Sequence, residues 1–258
     1  MDEKLKAFGR LLEIMDELRE KCPWDKEQTF ESLRKLTIEE TYELADAIIQ
    51  NDMDEVRKEL GDLLLHVVFY AKIGSEKQAF DITDVINSLN EKLIYRHPHI
   101  YRDQGAENAR EVEQNWEALK LKEKGRKKKT VLEGVPKALP SLVKANRIQE
   151  KVSAVGFDWE HPEQVWEKVK EEVSELQHEI AANNKDKMEA EFGDLFFAMV
   201  NAARLYGVDP ETALERTNIK FIKRFNYLES QTLKKGLDLK QMSLAEMDKY
   251  WEEAKAFE

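Results

Sequence analysis

Cysteine is almost missing from this chain. Cys22 stands alone among 258 residues, so no disulfide can close within it, and a reducing compartment suits it. Glycine and proline are scarce, at 10 and 6, and they fall at breaks rather than inside periodic segments, which favours long helices. No stretch sustains strict apolar–polar alternation, so strands are not expected. No apolar run approaches the roughly 20 residues that span a bilayer. Met1-Asp2-Glu3-Lys4 opens directly into an amphipathic pattern and lacks the apolar stretch of a signal peptide. Positive charge is in deficit: the net charge of −11 argues against binding a nucleic acid polymer nonspecifically. The expectation is a soluble cytoplasmic protein with no membrane partner. If it handles an anion, local cations or metal must offset its own field.

What the chain does have is one acidic pattern written twice. Glu39-Glu40-x-x-Glu43 is followed by Glu59-x-x-Asp62, and Glu171-Glu172-x-x-Glu175 by Glu191-x-x-Asp194. The gap from Glu43 to Glu59 equals that from Glu175 to Glu191, and Gly61-Asp62-Leu63 recurs as Gly193-Asp194-Leu195. Asn90, Lys92 and Arg96 recur as Asn218, Lys220 and Arg224, and Trp24 and Trp159 each precede the first acidic helix. The chain is a duplication.

The helical periodicity predicts helices over about 5–20, through 50, from 53 onward, 83–95, 107–124, 141–154, 162–182, 185–206, 210–232 and 243–256. In the second of these, Leu33, Leu36, Leu44, Ala47 and Ile48 read as inward. Asp52 reads as an N-cap with Glu55 as its capping-box partner, and Glu40 as a cap for a helix starting near Thr37. The fold class is all-α, with two related helical-bundle domains at 1–124 and 141–258. The connector, 125–140, carries the basic run Arg126-Lys127-Lys128-Lys129, most simply a solvated linker.

Residues three or four apart share a helix face. Glu172 and Glu175 therefore project together, as do Glu191 and Asp194, and a short turn at Asn183-Asn184 makes their helices antiparallel neighbours. Four converging carboxylates repel unless something neutralises them. Solvated glutamates on a Glu-rich helix are the simpler account of one copy; a second copy at identical spacing argues for metal. The donors are all oxygen, which suits Mg²⁺ or Mn²⁺ better than Zn²⁺, and such an ion usually takes further ligands from phosphates. The metal candidates are Glu172, Glu175, Glu191 and Asp194, with Glu40, Glu43, Glu59 and Asp62 in the first copy. A di-iron bundle would want Glu-x-x-His from paired helices, but on the second acidic helix Asp62 is followed by His66, at the wrong spacing, and Asp194 by Ala198. Lys220 and Arg224 share a face, as a triphosphate clamp or as a solvated surface. Lys187 is placed to approach phosphates, and Trp251 to stack on a base or to pack.

Glu-Glu-x-x-Glu followed by Glu-x-x-Asp resembles the signature of the MazG-type all-α nucleoside triphosphate pyrophosphohydrolases. Cys22-Pro23-Trp24-Asp25, Glu59-Leu60-Gly61-Asp62-Leu63 and Arg96-His97-Pro98-His99 look like the N-terminal copy of the tandem bacterial form. Arg147-Ile148-Gln149 and Val155-Gly156-Phe157-Asp158-Trp159 look like its second half. The resemblance implies Mg²⁺-dependent hydrolysis of nucleoside triphosphates to monophosphate and pyrophosphate by a homodimer or larger assembly. It also implies nucleotide contacts at Lys168, Lys187, Lys220, Arg224 and Trp251. One departure concerns the general base: Ala190 stands where related sequences often carry Glu, leaving Glu171, Glu189 or the metal alone to activate water.

The mechanism expected is attack of metal-activated water on the α-phosphorus, with Glu171, Glu172, Glu175, Glu191 and Asp194 as the catalytic set. Absence of a diagnostic base motif points to broad specificity, with aberrant or signalling nucleotides in range. The alternative is a helical nucleotide-binding or interaction protein in which one or both domains lack turnover. The nucleotide contacts favour the second copy as the active one.

Overall fold

The computed structural model describes residues 2–102, 112, 119 and 130–256. The helix expected over 107–124 and the basic run at 126–129 otherwise lie outside the described residues. Every regular element among them is helical. The chain divides into two compact units, Met1–Lys120 and Leu121–Glu258.

Unit 1 contains α1 (Glu3–Lys21), α2 (Pro23–Glu27), α3 (Phe30–Gln50), α4 (Met53–Glu76), α5 (Ile82–Arg96) and α6 (Pro98–Tyr101). α3 and α4 form its central pair, and α1 packs on α4. Thr29 starts α3 through a reciprocal capping box with Ser32. α3 then runs unbroken past Thr37, so Glu40 sits mid-helix and caps nothing. Asn51 ends α3 in the left-handed conformation, at φ 58°, and Asp52 caps α4 through the N–H groups of Asp54 and Glu55. The Glu55 carboxylate does not complete a box with Asp52. It bonds Lys58 at 2.5 Å instead.

Met15, Leu33, Val68, Phe69 and Ile73 make the core of unit 1, flanked by Phe8, Leu36 and Tyr70. Each fully buried side chain of this kind contributes roughly 1.5–3 kcal/mol. Arg19 locks the corner: it bonds Glu76 on α4 and the carbonyl oxygens of Asp25 and Gln28. Ile48, expected inward, is 58% exposed. Helical period identifies the apolar stripe but not which part of it a neighbour covers.

Gly74 lies inside α4, where alanine would ordinarily gain about 1 kcal/mol of helix propensity. A Cβ there would meet the Phe80 ring and the Phe80 carbonyl oxygen, all at 2.8 Å. The ring can swing aside; the carbonyl belongs to the turn that closes with Ala79 N–H on Gly74 O. Gly74→Ala is therefore expected to destabilise unit 1 by about 1–3 kcal/mol, measured as a lower denaturation midpoint at unchanged slope.

Unit 2 contains α7 (Ser141–Ser153), α8 (Val165–Ala181), α9 (Lys185–Leu205), α10 (Pro210–Lys234) and α11 (Leu244–Lys255). The helix expected from 162 begins as a 3₁₀ turn, Pro162–Gln164, before α8. α8 and α9 form the central pair, with α7 packed on α9 and α11 on α10. Their corner repeats that of unit 1: Asn183 is left-handed at φ 52° and Asn184 caps α9. The same corner in each half fixes the same register between the acidic helices, which is what positions the sites.

Candidate active site

Each central pair brings three carboxylates together. Glu40 and Glu43 on α3 meet Glu59 on α4, and Glu172 and Glu175 on α8 meet Glu191 on α9; within each trio, one oxygen per residue lies within 4.8 Å of the others. Glu59 and Glu172 are buried, at 4% and 5% exposure. Asp62 and Asp194, the expected fourth ligands, are exposed and fall outside these close trios.

The electrostatics match the crowding. Burial, then the charges of Glu43 and Glu40, hold the Glu59 carboxyl above the ordinary carboxylate range. Burial, then Glu175, Asp194 and Glu172, do the same to Glu191. Burial and the neighbouring Glu40 raise Glu43 as well. Glu59 Oε2 and Glu191 Oε2 are buried without a hydrogen-bond partner. Orphaned carboxylate oxygens at the centre of an all-oxygen trio fit a hard divalent cation.

The two copies part company beyond the trio. Lys168, one turn before Glu172, reaches Glu172 at 2.7 Å and Glu171 at 3.0 Å. The two hydrogen bonds, that to Glu172 first, raise the lysine well above its ordinary range. Unit 1 carries Leu36 at the matching position.

A cavity of about 760 Å³ opens beside the unit 2 trio. Lys168, Glu172, Glu175 and Asp194 line one part of it; Ile148, Val152, Phe157, Trp159, Val165 and Ala198 give it an apolar, aromatic wall, with Gln149, Asn201 and Arg204 among them. Arg204 is fixed by two hydrogen bonds to Asp158, at 2.9 and 2.5 Å. Burial opposes the Asp158 charge, but Arg204, Ser153 and the Trp159 N–H outweigh it and hold the carboxyl below its usual range.

Other expected contacts lie elsewhere. Lys187 bonds Glu179 at 3.4 Å. Lys220 is exposed on α10, and the Arg224 guanidinium lies 5.5 Å over the Trp251 ring, which also packs on Phe221 at 4.9 Å. None of these four lines the cavity. Glu171 and Glu189 are both exposed, and Glu171 is the one tied to Lys168.

Sequence reasoning missed Gln149 and Asn201 as site residues. A signal was present. The acidic repeat sets Phe69 against Asn201. Phe69 is a core residue, so one half has an amide where the other is apolar.

Comparison with known proteins points the same way. A family model described as "MazG nucleotide pyrophosphohydrolase domain" matches the chain twice, at residues 28–101 and 160–228. The "Nucleoside triphosphate pyrophosphohydrolase/pyrophosphatase MazG" of Thermotoga maritima is 46% identical over 250 residues, covering 96% of this chain and 95% of that protein. The "Nucleoside triphosphate pyrophosphohydrolase" of Escherichia coli (strain K12) is 43% identical over 257 residues, covering 97% and 98%. A Bacillus subtilis (strain 168) protein named "Uncharacterized protein YabN" is 45% identical over 262 residues, covering 100% of this chain and 54% of its own length.

Proposed function

The chain belongs to the MazG nucleotide pyrophosphohydrolase family, and on that premise we propose that it hydrolyses nucleoside triphosphates to monophosphate and pyrophosphate in unit 2, by water attack at the α-phosphorus. One observation carries the choice of unit: its carboxylate trio adjoins a cavity of about 760 Å³ with an aromatic wall, a shape that takes a polyanion at one part and a planar base at another.

Glu172, Glu175 and Glu191, with Asp194 beside them, would hold Mg²⁺ or Mn²⁺. Bound there, the ion supplies a water of lowered pKa and offsets phosphate charge. The rest falls to side chains. Lys168 fixes the Glu172 carboxylate and sets a positive charge beside the phosphate path. Glu171, held by the same lysine, is the candidate to accept the proton of the attacking water. Lys187, Lys220, Arg224 and Trp251 lie outside the cavity lining and stay as candidates for the approach of the outer phosphates, where a protein of net charge −11 needs local cations, while the base is assigned to the cavity wall. Beside the amides the charged groups Arg204 and Asp158 are paired with each other, which favours broad specificity.

Unit 1 reads as a metal-binding copy without turnover. Leu36 and Phe69 replace Lys168 and Asn201, and Phe69 packs with Met15 in an apolar core. A cytoplasmic homodimer completes the reading. Leu60, Leu64 and Val67 on α4 are 53%, 41% and 45% exposed, and their matches on α9, Phe192, Phe196 and Met199, are 43%, 61% and 44%. Gly61 and Gly193 interrupt these stripes with nothing near their Cβ positions, as close approach by another helix would require. Among the described residues, no helix is long and apolar enough to cross a membrane.

The products test the activity. Monophosphate and pyrophosphate are expected from any triphosphate turned over; diphosphate and orthophosphate would reject the assignment.

A further inference from the structure

The cavity of unit 2 holds two side-chain amides whose remaining atoms are defined by what their other atoms already do. Gln149 is 3% exposed, and its Nε2 donates to the carbonyl oxygen of Phe197 at 2.9 Å. A carbonyl only accepts, so the amide orientation is set, and Oε1 is left buried with no hydrogen-bond partner. Asn201 stands one turn further along α9, where its backbone N–H engages that same carbonyl in the helical ladder. Its Oδ1 accepts two hydrogen bonds from Arg204, at 3.1 and 2.8 Å. A guanidinium only donates, so Nδ2 is the group of Asn201 left to donate. Arg204 is itself clamped by Asp158, which also takes the Ser153 hydroxyl at 2.6 Å and the Trp159 N–H at 2.9 Å.

The fold does not need these polar atoms. At the position that the acidic repeat pairs with Asn201, unit 1 has Phe69, 2% exposed, inside a continuous apolar core. In unit 2 an unpaired acceptor and a spare donor stand at the wall of a cavity instead. Asn201 is seven residues beyond Asp194, about 10 Å along α9. That is the order of the reach from an α-phosphate across the ribose to the far edge of a base. Trp159 and Phe157 add flat apolar surface to the same cavity.

Resting on the nucleoside triphosphate reading above, we propose that Gln149 and Asn201 form an acceptor–donor pair that reads one edge of the nucleobase. Each coding base presents an N–H donor beside an acceptor on its pairing edge. The pair therefore admits all of them and rejects a base that lacks the donor, because Gln149 Oε1 then stays unpaired.

The test compares kcat/KM of the full chain for ATP and for purine riboside triphosphate, which lacks the exocyclic amino group. The wild type should prefer ATP by about tenfold, the worth of one hydrogen bond, with the difference in KM. Gln149→Met removes the acceptor at similar size; Asn201→Asp keeps the Arg204 contact and removes the donor. Gln149→Met should bring the ratio near one, whereas Asn201→Asp should raise KM for both triphosphates, which share the ring acceptor, and leave the ratio in place; melting curves confirm that each folds. A wild-type ratio near one overturns the proposal even if neither variant folds, and so does a ratio that folded Gln149→Met preserves or a loss in folded Asn201→Asp that is confined to ATP. No pyrophosphate from any triphosphate with the wild type would instead overturn the nucleotide reading itself.

Discussion

Replacing Glu172 with Gln is expected to lower kcat for pyrophosphate release by about a thousandfold or more, while Glu40→Gln leaves more than half of it. Glu172 is the buried member of its trio, faces the cavity and is held by Lys168 at 2.7 Å. Gln keeps its shape and removes the charge that holds the cation. Losing several kcal/mol of metal-derived stabilisation corresponds to about three decades of rate. Glu40 occupies the matching place in unit 1, but Leu36 stands where Lys168 would be and Met15 with Phe69 close the interior. Steady-state release of pyrophosphate by the two full-length variants, with circular dichroism to confirm folding, checks both halves. Equal losses would mean that both copies turn over.

The second large effect concerns stability. Millimolar Mg²⁺ added to chelator-treated protein is expected to raise the thermal midpoint by about 5 °C or more, whereas Na⁺ at equal ionic strength does not. An ion at a hundred times its dissociation constant stabilises by about 2.7 kcal/mol, and each kcal/mol moves a domain of this size by roughly 2–8 °C. The sign follows from the trios. Glu43, Glu59 and Glu191 titrate above the ordinary carboxylate range, because burial and like charge disfavour their ionised forms. Carboxyls raised in the folded state favour folding below the ordinary range, and that contribution is lost as pH rises through the raised values. Metal-free protein should therefore lose stability over that interval, and Mg²⁺ should flatten the slope. Its apparent affinity should fall as pH drops, since protons compete for the same oxygens. Glu59→Gln and Glu191→Gln should each remove one unit's share of the metal-induced shift. Scanning calorimetry across pH, with and without Mg²⁺, reads all of this.

Much of the architecture was legible because it depends on local rules. Helical periodicity located the main elements, and the Asn51-Asp52 and Asn183-Asn184 corners mark where chains reverse in each half. Spacings of three put Glu40 with Glu43, and Glu172 with Glu175, on single faces, and short corners brought Glu59 and Glu191 to them. What failed depends on neighbours. Glu40 cannot cap, because the helix start is set upstream by Thr29 and Ser32. Ile48 lies on the apolar stripe of α3 but outside the part its own unit covers. The cavity needs α7, α8 and α9 together, so no single window of sequence reveals it. Asn201 shows as an exception only when the halves are laid side by side, and Gln149 only once its buried amide is seen at the cavity wall. Asp62 and Asp194 share the pattern yet stand outside the close trios, since spacing fixes a face but not how far along it a carboxylate must reach.

The most direct measurement of the central claim is turnover of a nucleoside triphosphate by the full chain in H₂¹⁸O, with the products separated and weighed. Water attack at the α-phosphorus puts the heavy oxygen in the monophosphate and leaves pyrophosphate unlabelled. Label in pyrophosphate, or release of diphosphate and orthophosphate, would contradict the account.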